Sequence, residues 1–405
     1  MQTSILEDIL KTPEGQEAEA ILRNCVHCGF CTATCPTYQL LGDALDGPRG
    51  RIYLIKQALE GRPVSHRTQQ HLDRCLSCRS CETTCPSGVS YGRLLDIGRA
   101  EVERRVSRPL VERTVRWGLR RVLPYAGRFG PLLRVGQGLR PLLPAAVKKK
   151  VPARRTAQAR PASLHPRRML ILEGCAQSSA TPATNAAAAR VLDRLGISLV
   201  SPGSQGCCGA VSHHLSATRE SLAFARRNLD AWWPHIEAGA EAIIITASGC
   251  GVMVKEYGEL LRQDPDYRDK AARASQLARD LCEIVAAEDL SPLRLDTRGK
   301  RVAFHSPCSL QHGQKLAGVT ESVLQRLGFE LTRVSDAHLC CGSAGTYSIL
   351  QQGLSQQLLG NKLASLQQDR PDLIATANIG CQLHLESQSS VPVRHWIELL
   401  DEAAV

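Results

Sequence analysis

Two stretches fifty residues apart limit what this chain can fold into: Cys25, Cys28, Cys31, Cys35 and Pro36, then Cys75, Cys78, Cys81, Cys85 and Pro86. Both read C-x2-C-x2-C-x3-C-P. Three thiolates at steps of three wrap one iron–sulfur cubane, because the backbone between them turns sharply and aims N–H groups at sulfur. The fourth cysteine of such a run lies too far around that turn and ligates the neighbouring cluster. The spacing therefore assigns Cys25, Cys28, Cys31 and Cys85 to one [4Fe–4S] cluster, and Cys35, Cys75, Cys78 and Cys81 to a second. Proline after the last cysteine fixes φ and gives the ligand loop a defined exit. A tetrahedral zinc site also takes paired C-x2-C cysteines, but it has no use for a third and fourth at these steps, twice over. Cysteines this dense read as metal ligands rather than disulfides in a cytosolic protein. His27, between two ligands, reads as an exposed loop residue.

The 405 residues leave room for two or three domains, each with its own core. Hydrophobic content of 43% and charged content of 22% are ordinary for a globular protein, whereas 17 cysteines are not. Glu7 and Asp8 lie early and no long apolar run follows, so no Sec-type signal peptide is expected. No run of about 18 apolar residues predicts a membrane span. These features predict a cytoplasmic chain, peripheral on the inner face of the cell membrane at most.

The expected fold class is α+β multidomain. Residues 1–100 are expected to form a helical two-cluster ferredoxin domain. The 39 residues between Cys35 and Cys75 are too many for a compact hairpin and suit helices that space the ligand loops. Ile21–Leu22, Gly50–Leu59 and Tyr91–Arg105 carry helical patterns, with a turn over Gly47–Gly50. The charged pair Arg49 and Arg51 reads as a solvated helix start.

Residues 101–167 are a basic, proline-rich linker. Glu101–Arg168 holds 18 Lys or Arg against three Glu, a local balance of +15, so the rest of the +11 chain sums to −4. Eight prolines break this stretch into short apolar–basic pieces, and the Ala/Arg/Pro tract after Lys150 reads as disordered. Docking on an anionic membrane surface or a partner competes with a plain solvated linker. Nucleic acid is disfavoured: no recognised module is present, and 4% aromatics are too few for stacking platforms.

The remainder is duplicated, as residues 168–290 and 298–405. Cys175, Cys207, Cys208 and Cys250 stand at intervals of 32, 1 and 42, and Cys308, Cys340, Cys341 and Cys381 at 32, 1 and 40. Strand–helix alternation predicts two pseudo-repeated α/β cysteine-rich (CCG) units with parallel sheets, their cysteines at carboxyl ends of strands, where such sheets bind ligands. A pseudo-two-fold is expected to bring both sets to one cleft. Adjacent side chains diverge, so Cys207 and Cys208 are suited to different irons, and Gly209 permits a conformation other residues resist. Both four-cysteine sets are candidate additional iron–sulfur or zinc ligands; unligated cysteine and a vicinal redox disulfide remain alternatives. His213, His214, His305 and His384 lie near these sets and read as packed or surface histidines, with His384 placed to complete or tune a cluster. Cys282 reads as plain core.

Two C-x2-C-x2-C-x3-C-P motifs, a basic linker and two C…CCG…C repeats resemble the iron–sulfur subunits of flavin-linked hydroxyacid oxidoreductases, nearest to those of bacterial glycolate oxidases. The same layout occurs in lactate-utilisation and anaerobic glycerol-3-phosphate dehydrogenase subunits and in heterodisulfide reductases. The resemblance spans nearly the whole chain, and Gly29–Tyr38 and Gly50–Tyr53 add to it. It implies electron transfer from a separate flavoprotein that oxidises glycolate to glyoxylate; the charge of the linker suggests docking at the membrane face, where a quinone or other acceptor takes the electrons. No flavin is expected on this chain, which lacks a G-x-G-x-x-G turn and a G-x-x-x-x-G-K-[ST] loop. The family's cysteine-rich domain usually ends C-x2-C; Met253 and His384 stand at those places here. A thiol–disulfide enzyme and a structural zinc scaffold are the rival classes.

Overall fold

The computed structural model describes residues 1–144, 148–297 and 299–404. Residues 145–147 of the expected linker, and the expected limits 298 and 405 of the last unit, lie outside the described residues. The chain forms two compact units. One comprises Met1–Trp117, His214–Ser216 and His338–Lys362; the other comprises Gly118–His213, Ala217–Ala337 and Leu363–Val405.

The first unit is helical. Its main helices are Pro13–Asn24, Pro48–Leu59, His66–Asp73 and Tyr91–Arg105. Ala18, Ile21 and Leu22, then Ile52, Ile55 and Leu59, then Leu94, Leu95 and Val102 recur at helical steps, so each helix buries one stripe in a shared core. Gly98 lets two of these helices close, since a Cβ there would stand 2.5 Å from the Ile55 side chain. The turn expected over Gly47–Gly50 is instead a helix start: Pro48 takes the first helical position, where no N–H is needed. The solvated start expected at Arg49 and Arg51 holds for Arg49 alone. One helical step of two positions turns Arg51 inward, and it is only 1% exposed.

The second unit holds two parallel four-stranded sheets among its described residues. The first uses β1 (Arg167–Ile171), β2 (Ile197–Val200), β3 (Ile243–Ile245) and β4 (Ala278–Asp280), in the order β2-β1-β3-β4. The second uses β5 (Arg301–His305), β6 (Glu330–Leu331), β7 (Leu373–Thr376) and β8 (Val393–His395), in the order β6-β5-β7-β8. Identical order and all-parallel pairing bear out the duplication. Helix Pro182–Arg194 crosses from β1 to β2, and its Ala-rich face packs with Val191 and Leu192 into a core shared with Phe304, Val323 and Trp396. Cys282 is buried in that same core, as expected.

The linker departs from its expected short pieces. Leu110–Val122 and Ala126–Leu139 are helices of 13 and 14 residues. Pro109 and Pro124 sit just before them, where proline ends one element without cost to the next. Only Pro131 is interior, where it forgoes the bond to Gly127. The tract expected to be disordered is irregular but anchored, through Arg155–Glu386 and Arg160–Glu173 ion pairs of 2.8 and 2.7 Å. The arginines that suggested solvation are what pins it.

His395 joins the two repeats. Its Nε2–H donates to the Thr246 carbonyl at 2.8 Å, and its Nδ1 accepts from the Ile397 amide at 3.3 Å, which fixes the neutral tautomer. Burial pushes this imidazole down to about 4 from 6.5. Burial pushes the Asp280 carboxyl, which caps helix Leu281–Ala287, up to about 6 from 3.8. The unfolded chain protonates His395 below pH 6.5 and the folded chain does not until about 4, so this group lowers stability as pH falls through that window. Between 3.8 and about 6 the unfolded chain ionises Asp280 while the folded chain keeps it neutral, so that group lowers stability as pH rises. The slopes oppose each other. Asp280→Asn is expected to leave a urea midpoint that climbs from about pH 5 to 6, and His395→Gln one that falls, each by at most about 1.4 kcal/mol per unit. Parallel profiles in the two variants would contradict both assignments.

Candidate metal centres

Each ligand loop of the first unit has left-handed residues at the same two positions. His27 (φ 56°) and Gly29 (φ 88°) shape the first; Ser77 (φ 53°) and Arg79 (φ 60°) shape the second. Two reversals within five residues turn successive cysteines inward and bring amides toward sulfur, as where the Ser77 N–H meets Cys75 Sγ at 3.4 Å. Short helices Phe30–Ala33 and Ser80–Thr83 then carry Cys31 and Cys81. Pro36 does more than close its loop, since it opens helix Pro36–Leu41 with Cys35 as the cap.

Two cavities result. One, open to solvent with about 450 Å³ of empty space, is lined by Cys25, Cys28, Cys31, Cys81 and Cys85, with His27, Arg49 and Pro86 beside them. The other, about 300 Å³, is lined by Cys35, Cys75, Cys78 and Cys81, with Thr37, Arg51 and Arg79. Tyr91 and Cys81 border both. Burial pushes the Cys31 thiol up to about 11, with Cys25 and Cys28 adding to the effect. Burial, then Cys78 and Cys75, raise Cys81 well above an ordinary thiol. Four crowded sulfurs with left-handed turns behind them are a soft, anionic donor set, which fits iron–sulfur ligation.

The second cavity has a polar wall that the sequence did not disclose. Arg51 Nε donates to the His71 carbonyl at 2.7 Å, and both terminal nitrogens reach Thr37 Oγ1 at 3.1 Å. Thr37 Oγ1 lies 3.3 Å from Cys35 Sγ. Asp46, fully buried, accepts from Arg74 at 2.8 Å and meets His71 Nδ1 at 3.0 Å and Arg51 at 3.5 Å. Tyr91 Oη donates to Cys75 Sγ at 3.6 Å. Within this unit the stretch carrying Cys340 and Cys341 also packs here: Tyr347 Oη donates to the Arg74 carbonyl at 3.2 Å.

In the second unit Cys175, Cys207, Cys208 and Cys250 converge. Cys175 and Cys207 sulfurs are 3.3 Å apart and unbonded. Cys175, then Cys208, raise the Cys207 thiol well above its ordinary value, and Cys208 does the same to Cys250. Gly209 has φ 91°, and a Cβ would stand 2.9 Å from the Ser221 carbonyl. Its N–H donates to Cys207 Sγ at 3.4 Å, and Gly342 repeats this bond to Cys340 at 3.4 Å. Asn228 and Tyr257, which no motif signals, grip the carbonyls of Cys207 and Cys208 at 2.9 Å each. Met253 is buried with Cys207 and Cys208 in one apolar cluster.

The other set divides between the units, with Cys340 and Cys341 in the first and Cys308 and Cys381 in the second. Within the second unit, Asn378 Nδ2 donates to Cys381 Sγ at 3.5 Å while its Oδ1 accepts from the Gly249 amide at 3.2 Å. Ser248 and Ser309 hydroxyls meet at 2.7 Å, so the strand-end turns of Cys250, Cys308 and Cys381 abut. His305 ends β5, buried; His384 is half-buried in the last turn of Ile379–Glu386. His213 and His214 close the short helix Ala210–His214 and are split between the units.

A helical domain with two cysteine-lined cavities, and paired α/β sheets bearing C…CCG…C sets, define an iron–sulfur dicluster protein with a duplicated cysteine-rich domain. Residues 21–89 match the 4Fe-4S dicluster domain family, and residues 169–255 and 302–386 the cysteine-rich domain family. The chain is 59% identical to the glycolate oxidase iron-sulfur subunit of Escherichia coli, over 100% of this chain and 99% of that one. It is 31% identical to the probable glycolate oxidase iron-sulfur subunit of Bacillus subtilis, over 95% of both chains. Lactate utilization protein A of Bacillus licheniformis is 26% identical over 53% of this chain and 91% of its own. A crystal structure of a hypothetical protein from Helicobacter pylori shares the fold, with TM-score 0.58 at 12% identity over 98% of this chain and 74% of that one. The chain belongs to the family of glycolate oxidase iron–sulfur subunits.

Proposed function

We propose that this chain is an electron relay. It takes electrons from a flavoprotein subunit that oxidises glycolate to glyoxylate and passes them toward a quinone at the membrane face. The observation that carries this reading is the pair of cysteine-lined cavities bordered in common by Pro48, Cys81 and Tyr91. Bound there, two [4Fe–4S] clusters supply one-electron steps to a two-electron flavin. Cys25, Cys28, Cys31 and Cys85 hold one cluster; Cys35, Cys75, Cys78 and Cys81 hold the other. Ser77 and Tyr91 donate hydrogen bonds to Cys75. Hydride chemistry belongs to the partner, since the sequence offers no dinucleotide or phosphate turn. The converging Cys175, Cys207, Cys208 and Cys250 are a candidate further soft-metal site.

The linker supplies the membrane contact. Leu110, Val111, Val115 and Trp117 are exposed on their helix, while Glu112 and Arg116 on the opposite side are held in ion pairs with Asp73 and Arg108. Leu132, Val135 and Leu139 form a second exposed stripe at steps of three and four. Outward apolar stripes flanked by Arg113, Arg121 and Arg134 suit an anionic lipid surface. Among the described residues no helix is long and apolar enough to cross a membrane.

One anaerobic preparation tests the reading. About eight irons per chain are expected, with two interacting cubane signals by EPR that appear when glycolate and the flavoprotein subunit are added. Removing residues 110–142 is expected to spare those signals and abolish sedimentation with anionic vesicles. Zinc without iron, or signals indifferent to glycolate, would overturn the relay; iron well above eight would be assigned to the CCG sets.

A further inference from the structure

The two cavities are alike in ligands and unlike in charge. Arg49, at the rim of the Cys25 cavity, is exposed, and the Met1 ammonium that donates to the Cys25 carbonyl at 3.1 Å is part-exposed. Water screens both. Arg51, in the wall of the Cys35–Cys75 cavity, is 1% exposed and every polar contact it makes is internal. A guanidinium stays charged in a protein, and here it donates to the His71 carbonyl and the Thr37 hydroxyl beside Asp46. Asp46 is shared between Arg51 at 3.5 Å and Arg74 at 2.8 Å, and the other carboxylate of this cluster, Asp43, is exposed and screened by water, so the buried guanidinium is only partly neutralised. Tyr347 covers the network from outside. A charge at an effective dielectric near 20 acts about four times as strongly as one in water.

We infer that Arg51 is a positioning residue that sets the two sites apart in potential: its buried charge beside Cys35 and Cys75 favours the reduced form of the cluster held by Cys35, Cys75, Cys78 and Cys81, so that an electron entering the domain comes to rest there. The inference rests on the ligand assignment proposed above. No proton moves in it; one electron arrives from the flavoprotein, and the fixed cation balances part of the added negative charge.

The test is an EPR-monitored redox titration of the iron-loaded chain, with Cys78→Ser used to mark which signal belongs to the Arg51 side. Wild type is expected to show two unequal potentials, the Cys78-dependent one higher. Arg51→Met is expected to lower that one alone, by at least the ~59 mV that corresponds to a tenfold change in electron partition. Arg51→Lys, which keeps a cation, is expected to restore most of the gap. If Arg51→Met does not retain about eight irons, Arg51→Gln carries the test: it keeps a hydrogen-bonding side chain in the wall and removes the charge, and the same signal is expected to fall. Equal potentials in wild type, equal shifts of both signals, or no shift in either variant would overturn the inference. Absence of two cubane signals in wild type would instead overturn the ligand assignment.

Discussion

Cys85→Ser is expected to empty the cavity that lies sixty residues away in sequence, at Cys25, Cys28 and Cys31, and to spare the one formed by its own neighbours. Iron is expected to drop by about four per chain, and one cubane EPR signal to disappear while the other persists without its partner's coupling. The reason is geometric. Cys85 lines the cavity with Cys25, Cys28 and Cys31, and Cys35 lines that with Cys75, Cys78 and Cys81. Serine offers a hard oxygen where the site needs a soft, easily ionised sulfur. Cys35→Ser is the mirror experiment and is expected to extinguish the other signal. Glycolate-driven reduction of a dye acceptor through the complex is expected to fall by more than the roughly 100-fold typical of losing an outer-sphere support. Loss of the signal that depends on Cys78 in the Cys85 variant would mean that each motif ligates its own cluster, and would refute the crossed assignment.

What the sequence discloses and what it hides divide along contact distance. The cysteine runs, the helix Tyr91–Arg105 and the duplicated strand–helix order are legible because periodicity and spacing are local. Gly209 and Gly342 are legible because only glycine takes their φ near 90° beside a packed helix carbonyl. Arg51 is not. Its sequence neighbours say helix start, and its partners, Thr37, Asp46 and the His71 carbonyl, come from three other segments. Asn228 and Tyr257 are hidden for the same reason, since neither carries a motif and both act on backbone more than twenty residues away. The linker misled through its prolines, which mark helix boundaries at Pro109 and Pro124 and interrupt only at Pro131. Its Ala/Arg/Pro tract looked disordered because the acids that hold it, Glu173 and Glu386, are remote in sequence.

Asp46→Ala is expected to destabilise the first unit by about 3–5 kcal/mol, the cost of stripping a buried ion group of its buried carboxylate. Asp46 is fully buried, and its two oxygens are shared among Arg51, His71 and Arg74. Without it Arg51 remains in the interior with hydrogen bonds to Thr37 and the His71 carbonyl but without its buried counter-charge, since the neighbouring Asp43 is exposed. Its main-chain carbonyl, which accepts from Thr37 at 2.8 Å, survives the substitution, so the loss measures the carboxylate alone. Asp8→Ala is the control. The Asp8–Lys11 pair is 3.7 Å long with side chains 99% and 73% exposed, and its removal is expected to change stability by no more than about 0.5 kcal/mol. Anaerobic urea unfolding of the iron-loaded chain, followed by loss of cluster absorbance, distinguishes the two. A midpoint for Asp46→Ala matching that of Asp8→Ala would show that water or a rearranged Arg51 replaces the carboxylate, and the buried cation behind the Cys35–Cys75 site would then lack the desolvated setting on which its influence depends.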